Sequence, residues 1–212
     1  MKTVLLTGFE PFDGQALNAS EEIAREINDA TIVRHKVIGA LLPCVFGAAI
    51  KELKHLIKLH HPAVVICLGQ AGGRAAITPE RVAINLDDAR IADNAGQQPI
   101  DKPIVKNGPA AYFSTLPIKA IVHELRKHKI PAEVSQTAGT FVCNHVFYGL
   151  MHELALHREG VRGGFVHLPL LPEQATTEPS LPFEKMTEAA RLIIAAAIDY
   201  RRDIKAVGGK TE

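Results

Sequence analysis

Two residues capable of nucleophilic chemistry stand one helix apart in this sequence. They are Cys143, in QTAGTFVCN (136–144), and His167, in FVHLPL (165–170). Cys143 follows a glycine-containing strand-to-helix turn, where free backbone N–H groups and the helix dipole are expected to lower a thiol pKa. His167 lies near the end of the next strand candidate. A crossover through a single helix returns that strand end to the same edge of a parallel sheet, where an imidazole can take a thiol proton. Taken singly, each has a plainer reading: Cys143 as a small buried hydrophobe, His167 as a hydrogen-bonded structural histidine. Cys67 sits inside the apolar run VVICLG and reads as core, while Cys44, after LLP, lacks an activating context.

Other chemistries find little support. HELRKH (123–128) and HELALH (152–157) place their second histidine five positions on, facing elsewhere, and no HExxH occurs. Three cysteines at 44, 67 and 143 give neither CxxC zinc spacing nor an even disulfide framework. No metal is expected. GQAGGR (69–74) suggests a dinucleotide loop, but its glycines follow the third strand candidate. At the first joint, GFEPFD, Glu10 and Pro11 stand where a pyrophosphate needs close, neutral backbone. Neither GxSxG nor a Walker A sequence is present.

The elements that must position these residues alternate between strand-like and helix-like. Strands are predicted at 3–8, 32–40, 62–69, 81–85, 132–139 and 163–172. Helices are predicted at 19–28, with Asn18 or Ser20 as N-cap, and at 47–60, 116–129, 141–160 and 183–205, with the terminal GGKTE expected to fray. Residues 70–111 are rich in Gly, Asp, Asn and Pro. Irregular structure of that length usually builds a site or an interface. The order predicts a single three-layer α/β/α domain over residues 1–212 with a mostly parallel central sheet. In such sheets ligands collect beyond the carboxyl ends of the strands.

Composition narrows the partners. Among 212 residues, Lys and Arg number 24 and Asp and Glu 23, a formal charge of +1 that gives no electrostatic reason for nucleic acid or an anionic membrane. With no Trp and only 3 Tyr, a stacking platform for single strands is poorly supplied. The late apolar run LIIAAAI (192–198) is too short to cross a bilayer, and MKTVLLTGFEPFD is no secretion signal. A reduced, cytoplasmic, soluble protein is expected.

Six motifs carry the reading further: GFEPF (8–12), GQAGGR (69–74), ITPERVAIN (77–85), GPAAYFSTLP (108–117), SQTAGTFVCN (135–144) and GFVHLPLLP (164–172). Together, in order and spacing, the sequence resembles the pyroglutamyl peptidase I (pyrrolidone-carboxylate peptidase) family of cysteine exopeptidases. The resemblance covers roughly residues 3–172. It implies a Cys-His-Glu triad on Cys143, His167 and Glu80, although Glu80, between Pro79 and Arg81, reads from its surroundings as a surface ion-pair residue. It implies a pocket for the pyroglutamyl ring lined by Phe9, Phe12, Phe141 and Val142, polar contacts from Asn18 and Gln70, and a basic position at Arg90. The implied substrates are peptides with N-terminal pyroglutamate. The family also implies a thiol-dependent omega-peptidase needing no cofactor, and a homo-oligomer, commonly a tetramer in bacteria. Two departures stand out. Asn18-Ala19-Ser20 replaces the family's usual Asn-Pro-Ser, and Thr137-Ala138-Gly139 its usual Ser-Ala-Gly; neither removes a group the chemistry needs. The readings set against this one are another cysteine-dependent amidase or thioesterase on the same fold, and a non-enzymatic small-molecule binder.

Overall fold

In the computed structural model, residues 1–157 and 160–209 are described. The first strand, β1 (Lys2–Phe9), is almost continuously apolar because both its faces are covered: Val4 and Leu6 enter one core and Leu5 and Phe9 the other. After it come α1 (Ala19–Ile27), the short β2 (Thr31–Ile32), β3 (His35–Leu42), α2 (Ala48–His60) and β4 (Val64–Gln70). Three small strands follow, β5 (Thr78–Pro79), β6 (Val82–Ile84) and β7 (Ala111–Phe113), then α3 (Ile118–Lys127), α4 (Val142–His157), β8 (Arg162–Leu168) and α5 (Phe183–Asp199).

The main sheet has the order β2-β3-β1-β4-β8-β5. Its inner strands β3, β1, β4 and β8 are parallel, and only the two-residue edge strands are antiparallel. Helices α1, α3 and α5 supply one core, while α2 and α4 supply the other. The predicted three-layer α/β arrangement is borne out. Chain order moves from β1 outward to β3 and then back across β1 to β4, so the crevice between β1 and β4 is a topological switch point.

Three expectations are corrected. The segment predicted as a strand at 132–139 makes only isolated bridges, Ile77 with Ala132 and Glu80 with Ser135, because its partner β5 is just two residues long. The last helix stops at Asp199 rather than Lys205. Tyr200 turns extended, its hydroxyl donates to Glu124 Oε1 (2.8 Å), and Asp203 Oδ1 caps α3 by accepting from the Ala120 N–H (2.9 Å). Within residues 70–111 the strand predicted at 81–85 is present as β6, but β5 is an element the sequence did not suggest, and Tyr148 of α4 donates from its hydroxyl to the Pro109 carbonyl (2.7 Å) to fasten the segment. Of the predicted helix 141–160 and tail 208–212, positions 158–159 and 210–212 lie outside the described residues.

Two glycines let α1 lie flush on the sheet. A β-carbon on Gly8 would fall 2.1 Å from the Ser20 carbonyl oxygen, and one on Gly39 equally close to that of Ala24. Both obstacles are backbone and cannot swing aside. Gly8→Ala is therefore expected to lower the unfolding free energy by about 2–3 kcal/mol, read from the urea midpoint. Gly209→Ala, with open space around it, should leave that midpoint unmoved.

Candidate active site

The carboxyl ends of β1, β4 and β8 and the start of α4 converge. In the β4–β8 ladder Gly69 is paired with His167. A β-carbon on Gly69 would lie 3.1 Å from Cys143 Sγ and 2.7 Å from the Phe165 ring. Cys143 and the Phe165 ring thus share the space above one glycine, itself the ladder partner of His167, and leave no room there for a β-carbon. The crossover expected from the sequence does bring thiol and imidazole to one edge.

His167 is buried, 3% exposed, with the Phe165 ring centroid 4.9 Å from its own. Its Nδ1 donates to Glu80 Oε1 at 2.7 Å, leaving Nε2 as the basic nitrogen. Glu80 is wholly buried rather than a surface residue, and its backbone N–H donates to the Phe165 carbonyl (2.9 Å). The expectation drawn from its charged and proline neighbours fails because β5 folds antiparallel onto β8 and carries Glu80 inward.

The thiol at the start of α4 is subject to burial as well as to the helix dipole. Burial pushes Cys143 above the ordinary thiol range, reinforced by Cys44, Glu80 and Cys67 and opposed by Arg74. Burial likewise pushes the His167 imidazole down, against the pull of Glu80 and with a further push from Arg74. Desolvation thus favours the neutral form of both the thiol and the imidazole. Cys143 nevertheless keeps part of its surface open. Cys44 and Cys67 are buried thiols, each pushed up to about 12 mainly by desolvation. The reading of both as inert stands on that chemistry.

The residues expected to form a pocket separate into two groups. Phe12 and Phe141 are half-buried, with ring centroids 6.0 Å apart, and Phe46 packs edge-on against Phe141 at 5.5 Å. Phe9, 2% exposed, and Val142, fully buried, belong to the core behind them. Asn18 and Gln70 meet at the α1 N-terminus. Asn18 is the N-cap, its Oδ1 accepting from the Ser20 N–H (3.0 Å), while Gln70 Oε1 accepts from the Ala19 N–H (2.7 Å). A proline at position 19 would lack that donor, so the departure from Asn-Pro-Ser adds a bond across the switch point. Arg90 is exposed, and its backbone carbonyl accepts from Gln98 Nε2 (3.1 Å).

Several residues here were not singled out from the sequence. Asn144 pins the first turn of α4 to β6: its Oδ1 accepts from the Ile84 N–H and its Nδ2 donates to the Ile84 and Leu86 carbonyls. His145 Nε2 accepts from the Gly47 N–H (2.9 Å), and its Nδ1 donates to the buried Asp87 (2.9 Å). Arg74 reaches Glu80 Oε1 at 2.7 Å and the Thr137 carbonyl at 3.1 Å. Placement beside Cys143 was the available signal for Asn144 and His145. Arg74 had only its place in GQAGGR. Among the described residues, no group of three or more His, Cys, Asp or Glu is arranged to hold a metal ion.

The geometry fits a family. The model of the pyroglutamyl peptidase family matches residues 2–200. The chain belongs to that family. It is 56% identical to a pyrrolidone-carboxylate peptidase of Cupriavidus taiwanensis over 214 residues, covering 99% of each chain. It is 54% identical to one from Bacillus mycoides, covering 100% of both. Among solved structures, pyroglutamyl peptidase I of Bacillus amyloliquefaciens superposes with a TM-score of 0.96 at 48% identity, over 97% of this chain and 99% of that one. The pyrrolidone carboxyl peptidase of Thermococcus litoralis gives 0.95 at 39% identity, over 98% and 100%. Of the six motifs, GFEPF, GQAGGR and GFVHLPLLP lie at the carboxyl ends of β1, β4 and β8, and SQTAGTFVCN leads into α4.

Gly69→Ala tests the shared space. Displacing the Phe165 ring or the thiol is expected to slow alkylation of Cys143 and to lower kcat/KM by ~10- to 100-fold. Circular dichroism should show the fold retained.

Proposed function

We propose that the protein is a thiol-dependent omega-peptidase that hydrolyses the bond after an N-terminal pyroglutamyl residue, with residues 1–212 acting as one catalytic domain. The observation that carries this reading is the buried Glu80–His167 pair, joined at 2.7 Å, beside a partly open Cys143 above Gly69. Family membership names the reaction and the site supplies groups for each step.

In the proposed scheme His167 Nε2 takes the thiol proton as Sγ attacks the pyroglutamyl carbonyl carbon. The oxygen carries the negative charge in the tetrahedral intermediate. That intermediate collapses with cleavage of the C–N bond, and the imidazolium gives its proton to the departing amine. Water then attacks the thioester, with Nε2 accepting its proton; the C–S bond breaks, the departing thiolate takes that proton from the imidazolium, and pyroglutamate is released. Glu80 fixes the ring with Nε2 toward the sulfur and stabilises the transient imidazolium. The steps require a reduced thiol and no cofactor.

For recognition, the half-buried rings of Phe12 and Phe141 would flank the lactam, backed by Phe9 and Val142. Asn18 and Gln70 would read its polar edge, and Arg90 would help order the neighbouring loop. An apolar site of this kind disfavours a charged open-chain glutamate or a prolyl ammonium, whose desolvation costs several kcal/mol. The reading extends to a cytoplasmic homo-oligomer, a tetramer being the expected form. Among the described residues no helix is long and apolar enough to cross a membrane, and Phe113 on β7 is 70% exposed, an apolar surface that association would cover.

Release of a chromogenic amine from its pyroglutamyl conjugate is the direct assay. Prolyl and glutamyl analogues should be cleaved at least ~100-fold less efficiently. Cys143→Ser should fold and lose nearly all turnover, whereas Cys44→Ser and Cys67→Ser keep most of it. Equal kcat/KM for the pyroglutamyl and prolyl conjugates, or full activity in Cys143→Ser, refutes the assignment. Sedimentation equilibrium at micromolar protein should report a species larger than a monomer.

A further inference from the structure

We infer that Arg74 is a positioning residue of this site: its guanidinium holds the Glu80 carboxylate for His167, ties that pair to the turn that delivers Cys143, and keeps the buried charge balanced while the imidazole is neutral. The inference rests on the cysteine-peptidase reading above and adds a fourth side chain to it.

The first observation is how Glu80 is satisfied. The side chain is wholly buried, yet only one of its oxygens is used. Oε1 accepts from both His167 Nδ1 and Arg74 Nη1, each at 2.7 Å, while Oε2 has no hydrogen-bond partner among the described residues. Histidine supplies a positive charge only when protonated, whereas a guanidinium is charged at any working pH. A base must start neutral. During that part of the cycle Arg74 is the fixed cation beside the buried carboxylate. Without it, the Glu80–His167 pair would relieve its charge by binding a proton, and the base would be lost.

The second observation is reach. Arg74 Nη1 also donates to the Thr78 hydroxyl, and Nη2 donates to the Thr137 carbonyl at 3.1 Å. Thr78 is paired with His167 in the β5–β8 ladder. Thr137 opens the turn into α4, where its hydroxyl accepts from the Gly139 N–H (3.1 Å). One planar fork therefore connects the segments bearing the carboxylate, the imidazole and the thiol. An ammonium on a flexible stem can supply the charge but not those simultaneous directions.

The groups bearing on this balance are few. Glu80 and Arg74 act on the imidazole; Cys44, Glu80, Arg74 and Cys67 act on the thiol. Arg74 pushes both the thiol and the imidazole down, so deleting its charge lets both rise. The neutral imidazole then appears only at higher pH. The acid limb of the kcat/KM profile must move in the alkaline direction. A residue that merely braced the backbone would lower the plateau and leave the limb in place.

The test compares wild type, Arg74→Met and Arg74→Lys between pH 5 and 9. It uses the pyroglutamyl chromogenic amide, and in parallel the rate of iodoacetamide modification of Cys143 measured by mass spectrometry. Arg74→Met is expected to lose about 100-fold in plateau kcat/KM through misplacement, with the acid limb of both profiles shifted up by about one pH unit. Arg74→Lys should return the limb toward the wild-type position while the plateau stays depressed. Limbs that do not move in a folded Arg74→Met protein overturn the charge-balancing role. A full plateau in Arg74→Lys overturns the fork. If Arg74→Met does not fold, Arg74→Gln takes its place in the same two profiles: an acid limb moved in the alkaline direction supports the inference, and an unmoved limb overturns it. Should wild type not cleave the pyroglutamyl amide, the alkylation profiles still test Arg74, so the two failures are distinguishable.

Discussion

A carboxylate with no exposure to water must be compensated where it lies, and the rest of this site is organised around doing so for Glu80. Two donors meet on its Oε1, one from β8 and one from the loop after β4. Breaking a buried charged pair by removing one partner typically costs about 3–5 kcal/mol, because the remaining charge is left uncompensated. Glu80, His167 and Arg74 therefore form or fail together. The backbone supports the same arrangement: the Glu80 N–H donates to the Phe165 carbonyl, two residues before His167 on β8. The carboxylate and the imidazole it orients are thereby in register before any side-chain bond is counted.

The same economy of contacts governs the switch point. The α1 N-terminus would leave its first N–H groups unpaired beneath the sheet edge. Asn18 Oδ1 takes the Ser20 N–H and Gln70 Oε1 takes the Ala19 N–H, while the Ser20 hydroxyl accepts from the Phe9 N–H (3.0 Å). Three residues at β1, α1 and β4 are locked by local capping chemistry. Phe9 thereby becomes a fixed wall behind Phe12 rather than a mobile loop residue. Gly8 and Gly69 make the approach possible on either side, each standing where a methyl group would strike backbone or a packed ring.

How far the sequence disclosed this follows from which interactions are local. Continuous apolar runs and helical spacing revealed the inner strands and the helices. The α/β order was enough to place Cys143 and His167 at one edge. What stayed hidden depended on pairings between distant segments. Glu80 looked like a surface residue because its neighbours are Pro79 and Arg81; only the antiparallel return of β5 on β8 buries it. The last six residues of the predicted final helix are instead drawn away by Tyr200 and by Asp203, which caps α3 some eighty positions earlier. Arg74 was invisible for the same reason. Its partners at 78, 80 and 137 come together only in the folded chain.

The electrostatics change how the nucleophile is best understood. A thiol at a helix start suggests a standing thiolate, but here burial acts the other way and favours the neutral thiol and the neutral imidazole. In the proposed scheme charge separation would then be coupled to attack: the proton would leave sulfur as the carbon–sulfur bond forms, and the negative charge would pass to an oxygen. The burial that favours the neutral thiol would also slow adventitious alkylation and oxidation, which follow thiolate character. In that scheme the imidazolium would form only during attack and would have to be met by a carboxylate already in place. A Glu80 that was exposed, or protonated for want of Arg74, could not meet it. The dry interior that raises the thiol is thus the same feature that makes the buried carboxylate effective, because an ion pair formed away from water is screened least.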